Sequence, residues 1–285
     1  MADLAIVIVS HNAREDLDPC LRSLHDPPPR TSHEIVVVDN ASTDGSPEWI
    51  RRAWPAVRVI DAGDNLGFSR ANNIGIRATS GPLVLLLNSD TRVPAGAVDR
   101  LVEELGARPE AAVIGPRLVD AAGRPEISFG RMITPLNELG QKTLGWLYRA
   151  RLPLADAWVR RKTRRAHTPD WISGACLLVR RSDAEAVGLL DERFFLYTED
   201  VDFCAAIRAR GRQVLFSPVA EIVHQRGRSV GRAPRAAERL YRLSQLAFYE
   251  KHHPRWARWL RRYLRLRGRL PLAAPPGALP GGPLG

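Results

Sequence analysis

Residues 194–204 read FFLYTEDVDFC and set Glu199, Asp200 and Asp202 within four positions, beside Phe194, Phe195, Tyr197 and Phe203. Burial among aromatic rings strips a carboxylate of solvent, and a like charge next to it raises its proton affinity further. Such a group is a base suited to work near neutral pH. A structural reading competes with this chemical one. The three acids open a run of helical character, VDFCAAIRARG, where negative charge stabilises the positive end of the helix dipole. That reading suits Asp202 better than catalysis does.

Polar side chains also collect where apolar runs end. Ser10-His11-Asn12 follow LAIVIV, and Asp39-Asn40 follow EIVVV. Asp64-Asn65-Leu66-Gly67 follow VRVIDAG, and Asn88-Ser89-Asp90 follow PLVLLL. Any one cluster could simply make a turn. Four at matching positions, each with a helix after it, define one cleft, because open α/β sheets bind ligands outside the carboxyl ends of their strands. No G-x-G-x-x-G follows the first run and no G-x-x-x-x-G-K-[ST] occurs, which argues against a dinucleotide or P-loop site. An isolated carboxylate at a strand end repels a diphosphate unless Mg2+ or Mn2+ bridges them. Asp90 is the natural metal candidate.

The elements that must position these groups emerge as an alternation. Runs at 4–10, 34–40, 57–63 and 82–90 are rich in Val, Ile and Leu, the pattern of parallel strands covered on both faces. Helices are expected at 14–25, 46–53 and 69–79, the second announced by Asp44-Gly45-Ser46-Pro47. Further strands are expected at 111–116, 175–180 and 213–218. The alternation predicts an α/β fold, a Rossmann-like and mostly parallel sheet flanked by helices. Residues 131–169 hold nine Lys/Arg and no strand pattern, and read as a helical or mobile insertion. Helices are expected again at 235–253, closed by HHP, and at 255–268. The Pro/Gly-rich segment 271–285 is expected to be disordered.

At 285 residues, with 45% hydrophobic and 26% charged side chains, the chain can bury a substantial core. No apolar run approaches the roughly 20 residues of a membrane span, and MADLAIVIVS lacks the features of a signal peptide. The three widely spaced cysteines, Cys20, Cys176 and Cys204, read as reduced thiols of a cytoplasmic protein. The net charge of +11 is uneven. Residues 1–130 hold 13 Arg against 18 Asp/Glu, a net of −5, whereas residues 205–269 hold 17 Lys/Arg against 3 Glu, a net of +14. Any anionic partner therefore belongs to the C-terminal part. A basic nucleic-acid-binding protein is the non-enzymatic alternative, but it leaves the carboxylates unexplained and shows no recognised motif, so no nucleic acid partner is expected.

Taken in order, VSHN, VVVDNASTDGS, NLGFSRANNIGI, LLLNSDTRVP, DWISGACLLVRR, FFLYTEDVDFC and VHQRGRSVGR resemble successive motifs of the family 2 inverting glycosyltransferases with the GT-A fold. The resemblance is strongest to the rhamnosyltransferase-like branch that acts on cell-envelope glycolipids, and it spans about residues 4–232. It implies a metal-dependent enzyme moving a sugar from a nucleotide sugar, dTDP-rhamnose by branch resemblance, to a lipid-linked or polysaccharide acceptor. A galactofuranosyl- or N-acetylhexosaminyltransferase using a UDP-sugar is the alternative. It also implies a glycosyltransferase domain over 1–232, with 131–169 on the acceptor side and basic helices over 233–270.

The resemblance assigns roles residue by residue. Ser10, Asp39 and Arg70 would hold the nucleotide, Asp39 by accepting from the pyrimidine N3–H. Asn12, Asn40, Gly67, Asn73 and Asn88 would shape the same pocket. Asp90 matches the last aspartate of the family's D-x-D motif, with Asn88 in place of the first. His224 matches a histidine that completes the metal site, a role neutral imidazole fills well. Asp200 would be the base that deprotonates the acceptor hydroxyl, with Glu199 positioning the acceptor. Gly174 would let backbone approach the ligand, and Trp171 would either stack on the acceptor sugar or fill the core.

Near the C-terminus, Trp256, Trp259, Leu260, Tyr263 and Leu264 follow i, i+3, i+4, i+7, i+8 spacing and share one helical face. Arg258, Arg261, Arg262 and Arg265 lie largely outside it. A basic helix with an aromatic stripe suits an anionic membrane surface, peripheral on the inner face of the plasma membrane. The alternative is a stripe packed on the protein's own core.

Overall fold

The computed structural model describes residues 2–225 and 234–269. The expected tail at 271–285, residues 226–232 of the last motif and the proposed boundary at 232/233 lie outside them. An eight-stranded sheet has the order β3-β2-β1-β4-β9-β6-β10-β5. Its parallel half is built from β1 (Leu4–Ser10), β2 (His33–Asp39), β3 (Arg58–Asp61) and β4 (Leu83–Asn88). The far half pairs β6 (Ala111–Val119) in parallel with β10 (Gln213–His224). Between the halves, β9 (Cys176–Arg180) runs antiparallel to both β4 and β6. The two-residue β5 (Thr91–Arg92) closes the edge against β10.

The strands carry apolar residues on both faces because helices cover both. Leu4, Ile6 and Ile8 of β1 face one core with α1 (Arg14–His25), α2 (Ser46–Ala53) and α4 (Ala97–Gly106). Val7 of the same strand faces the other, with α3 (Phe68–Arg77), α7 (Arg181–Ala186) and α8 (Glu199–Ala209). The three cysteines are free and buried, as expected. Asp44 starts α2 as anticipated, its Oδ1 accepting from Ser46 N at 3.0 Å.

Residues 131–169 form helices α5 (Pro135–Arg149) and α6 (Pro153–Lys162), bracketed by a small sheet of β7 (Phe129–Gly130) and β8 (Trp171–Ile172). The chain then ends its described part in α9 (Pro234–His252) and α10 (Pro254–Leu266). The anticipated single aromatic face of α10 is divided: Leu264 is buried and Leu260 half-buried, whereas Trp256, Trp259 and Tyr263 point outward. The reason is angular. The five residues span a sector too wide for one neighbouring helix to cover, so the side nearest Ala257 packs and the rest stays wet.

Candidate active site

Parallel register brings the strand ends level. Ser10 stands opposite Asp39, Asp39 opposite Asp61, and Val9 opposite Asn88. Ser10 and Asp39 are buried and Asn88 partly so, and their polar atoms are incompletely satisfied. Ser10 Oγ, Asp39 Oδ1 and Asn88 Oδ1 have no hydrogen-bond partner among the described residues. Asp39 uses only Oδ2, which accepts from Ser42 N at 3.0 Å. Buried polar atoms are ordinarily paired, so three orphans on adjacent strands mark a place where a ligand supplies the partners.

The neighbouring residues hold the loops around this edge. Asn40 accepts from Leu66 N and donates to Asn65 Oδ1, both at 2.8 Å, which fixes the turn before α3. Asn12 Oδ1 accepts from Thr43 N at 2.7 Å and joins the first loop to the second. Arg70, assigned above to hold the nucleotide, and Asn73, assigned to shape its pocket, both contact the 190–192 segment. Arg70 Nε pairs with Glu192 Oε2 at 3.3 Å, and Asn73 Nδ2 donates to Leu190 O and Glu192 Oε1 at 2.8 and 3.0 Å. Asn73 Oδ1 accepts from Leu190 N as well. Both side chains of α3 therefore grip the segment leading to the Glu199-Asp200 pair.

At the far side of the edge, His224 lies between two carboxylates. Its Nε2 is 3.3 Å from Asp90 Oδ1, and its Nδ1 is 3.1 Å from Glu126 Oε2. Burial works against the imidazolium, but Asp90 and Glu126 outweigh it and raise the His224 pKa to about 9. Glu126 was not anticipated, and nothing in GRPEISFG distinguishes it. A carboxylate on the far ring nitrogen is the usual means of orienting a metal-binding histidine. Among the described residues no three His, Cys, Asp or Glu side chains converge on one point. The Asp90–His224 pair, with the unpartnered Asn88 Oδ1 nearby in sequence, fits a hard divalent cation that draws its remaining ligands from phosphate.

The 190–204 segment approaches the same edge under strain. Tyr197 and Thr198 both have positive φ, at 72° and 65°. Two consecutive non-glycine residues in that region are costly and persist only where their surroundings impose them. They turn the chain into α8 so that Asp200 Oδ2 accepts from Gly174 N at 2.9 Å and Oδ1 from Val201 N at 2.8 Å. A Cβ on Gly174 would lie 3.4 Å from that of Asp200, so the glycine packs on the aspartate's own stem. Gly67 is more stringent: at φ 82°, a Cβ would meet Phe195 O and Cδ2 at 2.5 Å, and Phe68 N donates to Phe195 O at 2.6 Å.

Burial falls on a different acid from the one anticipated. Glu199 is buried and its Oε2 has no partner among the described residues, whereas Asp200 is half-buried. Burial first, and then the charge of Asp200, push the Glu199 pKa well above the usual range. Asp202 is neither a base nor merely a dipole-stabilising acid. It is buried against Lys251 Nζ at 2.8 Å and His252 Nε2 at 2.6 Å, and Lys251 also reaches Asp191 at 2.8 Å. Trp171 packs its ring on Gly130 and donates Nε1–H to Arg131 O at 2.9 Å, so it braces the insertion. Glu138 of α5 accepts from Tyr241 and Tyr249 at 3.1 and 2.8 Å, and from Gln245, tying the insertion to α9.

Orphaned polar atoms along the level ends of a parallel sheet, with a loop-held carboxylate reached through Gly174, suit a group-transfer enzyme. Residues 5–186 match the profile of Glycosyl transferase family 2, and the chain belongs to that family. It is a glycosyltransferase. The N-acetylglucosaminyl-diphospho-decaprenol L-rhamnosyltransferase of Mycobacterium tuberculosis is 31% identical over 94% of this chain and 92% of its own length. The low-salt glycan biosynthesis hexosyltransferase Agl10 of Haloferax volcanii is 29% identical over 78% of this chain and 67% of its own. In fold, the chain is similar to the mannosyltransferase PcManGT of Pyrobaculum calidifontis in complex with GDP-Man and Mn2+. That match has a TM-score of 0.59, 18% identity, and covers 95% of this chain and 72% of that one. GalNAc-T7 with UDP, GalNAc and Mn2+ superimposes with a TM-score of 0.58 at 19% identity, over 79% of this chain and 43% of that one. These neighbours establish the GT-A architecture. Among the described residues no helix is long and apolar enough to cross a membrane.

Proposed function

We propose that this glycosyltransferase is an inverting, metal-assisted enzyme that moves rhamnose from dTDP-rhamnose to a sugar carried on a lipid diphosphate or at the end of a cell-envelope polysaccharide. The observation that carries the reading is the row of unpartnered atoms, Ser10 Oγ, Asp39 Oδ1 and Asn88 Oδ1, at the level ends of adjacent strands. Asp39 Oδ1 accepts the imide N3–H of a thymine or uracil base. Ser10 supplies a hydroxyl beside it. Asn88, Asp90 and His224 would stand at the diphosphate end and hold Mg2+ or Mn2+. When bound, that cation neutralises charge on the departing nucleoside diphosphate.

The acceptor hydroxyl loses its proton to Asp200, whose carboxylate is oriented by the amides of Gly174 and Val201. The hydroxyl oxygen then forms the new bond to the anomeric carbon as the bond to the diphosphate breaks on the opposite face, which inverts that centre. The logic is that of the base in inverting glycosidases, with a sugar hydroxyl in place of water. Trp171 and Glu138 act by fixing the insertion that walls the acceptor side. The rhamnosyl relative supports the transferred sugar and the lipid-linked acceptor, and the metal-bound neighbours support the cation.

Calorimetry with dTDP-rhamnose, UDP-galactofuranose and UDP-N-acetylglucosamine, with and without Mn2+, tests the reading. Tight metal-dependent binding of the thymidine donor is expected, lost in Asp39→Ala and in Asp90→Ala and weakened in His224→Ala. Preference for a UDP-sugar would replace the donor assignment, and unchanged binding by Asp90→Ala would remove the metal site.

A further inference from the structure

Helix α10 is only partly accounted for by packing. Ala257 and Leu264 are buried, yet Trp256, Trp259 and Tyr263 are 53%, 65% and 50% exposed, and Leu266 is exposed beside them. These four residues recur at i, i+3, i+7 and i+10, a single strip along the helix. Arg258, Arg262 and Arg265 occupy the adjoining strip, all exposed. With Arg261 and Glu250 they line an open groove of about 530 Å3. One side of α10 is thus sealed by protein, the next is cationic and the third is an aromatic ridge.

A second strip of the same kind begins at the same point. His253 Nε2 lies 2.8 Å from Ile133 O, which ties the start of α10 to the start of α5. On α5, Leu136, Leu139 and Trp146 are exposed at i, i+3 and i+10, and Leu152 and Leu154 follow at the start of α6. Outward leucines add nothing to base stacking but enter an acyl boundary, so beside the aromatic ridge they favour lipid over nucleic acid. Tryptophan and tyrosine at headgroup depth, leucine below them and arginine beside them are what an interfacial helix presents to lipid.

We propose that α10 and the outward strip of α5 dock the enzyme on an anionic bilayer surface. The proposal rests on the lipid-linked acceptor of the reading above and concerns residues given no part in transfer. Charge complementarity fixes the partner: the arginine strip meets anionic headgroups while the ridge enters the acyl boundary.

The experiment is co-sedimentation of the full chain with vesicles of phosphatidylcholine alone or mixed with phosphatidylglycerol. Binding to the mixed vesicles at low salt and release at high salt are expected. Arg258→Gln/Arg262→Gln/Arg265→Gln should weaken partition on the order of a hundredfold, since one basic residue at such a surface changes it about fivefold. Trp256→Ala/Trp259→Ala/Tyr263→Ala, all at exposed positions, should abolish it with an unchanged melting temperature. Both variants should keep wild-type transfer to a water-soluble acceptor with a shortened lipid. If wild type transfers sugar to that acceptor but the variants sediment like wild type, docking is overturned and the transferase reading stands. If wild type transfers nothing from dTDP-rhamnose to that acceptor, the proposed donor and acceptor fail whatever the vesicles show. Self-association abolished by the aromatic variant, without vesicle binding, would make a second copy the occupant. Retention of an oligonucleotide in place of vesicles would likewise overturn the proposal.

Discussion

On the proposed reading, Asp200 and Glu199 divide one job by environment. Asp200 is half-buried and oriented by two backbone amides, whereas Glu199 is buried with an unpartnered oxygen. Asp200→Asn keeps shape and removes the proton acceptor. Transfer should fall about 10²-fold or more with donor affinity unchanged, read from kcat against calorimetric Kd. Wild-type turnover in this variant would return the cluster to a helix-start role. For Glu199 the sign follows from linkage. Its folded pKa lies above the ordinary 4.5, so the folded state keeps a proton that the unfolded chain releases once pH passes that value. Its stability contribution is full below that pH and declines as pH rises toward the folded pKa. Glu199→Gln should therefore melt several degrees above wild type at pH 8 and level with it near pH 4, about 2–4 °C for each kcal/mol. A constant offset across pH would show that the burial of the charge is not the cause. At this scale the sequence was informative about which residues gather, because strand-end chemistry and the TED triplet are local. It was misleading about which acid is desolvated, because adjacent residues on a helix start point in different directions and only packing decides between them.

The elements that hold the site divide the same way. The four early strands and the helices between them were legible because both-face burial writes continuous apolar runs. The two-residue β5, β7 and β8 were not, since a pair of residues carries no period. The reversed direction of β9 was also hidden, because an interior strand reads alike in either direction. Least visible was the service α9 performs for α8. The motif KHHP read as a helix end, yet Lys251 and His252 reach Asp202, one turn from the site, and Lys251 bridges on to Asp191. Lys251→Met leaves the buried Asp202 with half its partners. The cost should be about 1.5–3 kcal/mol, the scale of a hydrogen bond to a charged group. Because α8 opens at Glu199, kcat should drop with KM for donor unchanged, and Lys251→Arg should restore part of both. Full activity in Lys251→Met would make the contact a surface ornament.

Across the whole molecule, charge and chemistry are segregated: the acidic N-terminal part carries the strand-end pocket, and the basic C-terminal helices carry the exposed aromatic ridge. The reversal of β9 gives this segregation a further meaning. Parallel strands deliver the residues that follow them to the ligand edge; an antiparallel strand delivers the residues that precede it. Ala175 accordingly sits against Asn88, with Asn88 N donating to Ala175 O at 2.9 Å, and Gly174 reaches Asp200 from there. On the proposed reading, the nucleotide is held mainly by residues before 95 and the acceptor-side base lies after 170, with His224 the donor-side exception, and the two stretches meet where β4 pairs with β9. Segments inherited apart can be exchanged apart. A chimera taking residues 1–95 from a relative with another donor should adopt that donor and keep its own acceptor. The exchange must preserve the Gly67–Phe195 fit and the grip of Asn73 on Leu190 and Glu192, where the halves interlock. Donor and acceptor preference changing together in such a chimera would show that the seam lies elsewhere. If they separate, new linkages can arise in this family by recombination at one junction, without a new fold or a new base.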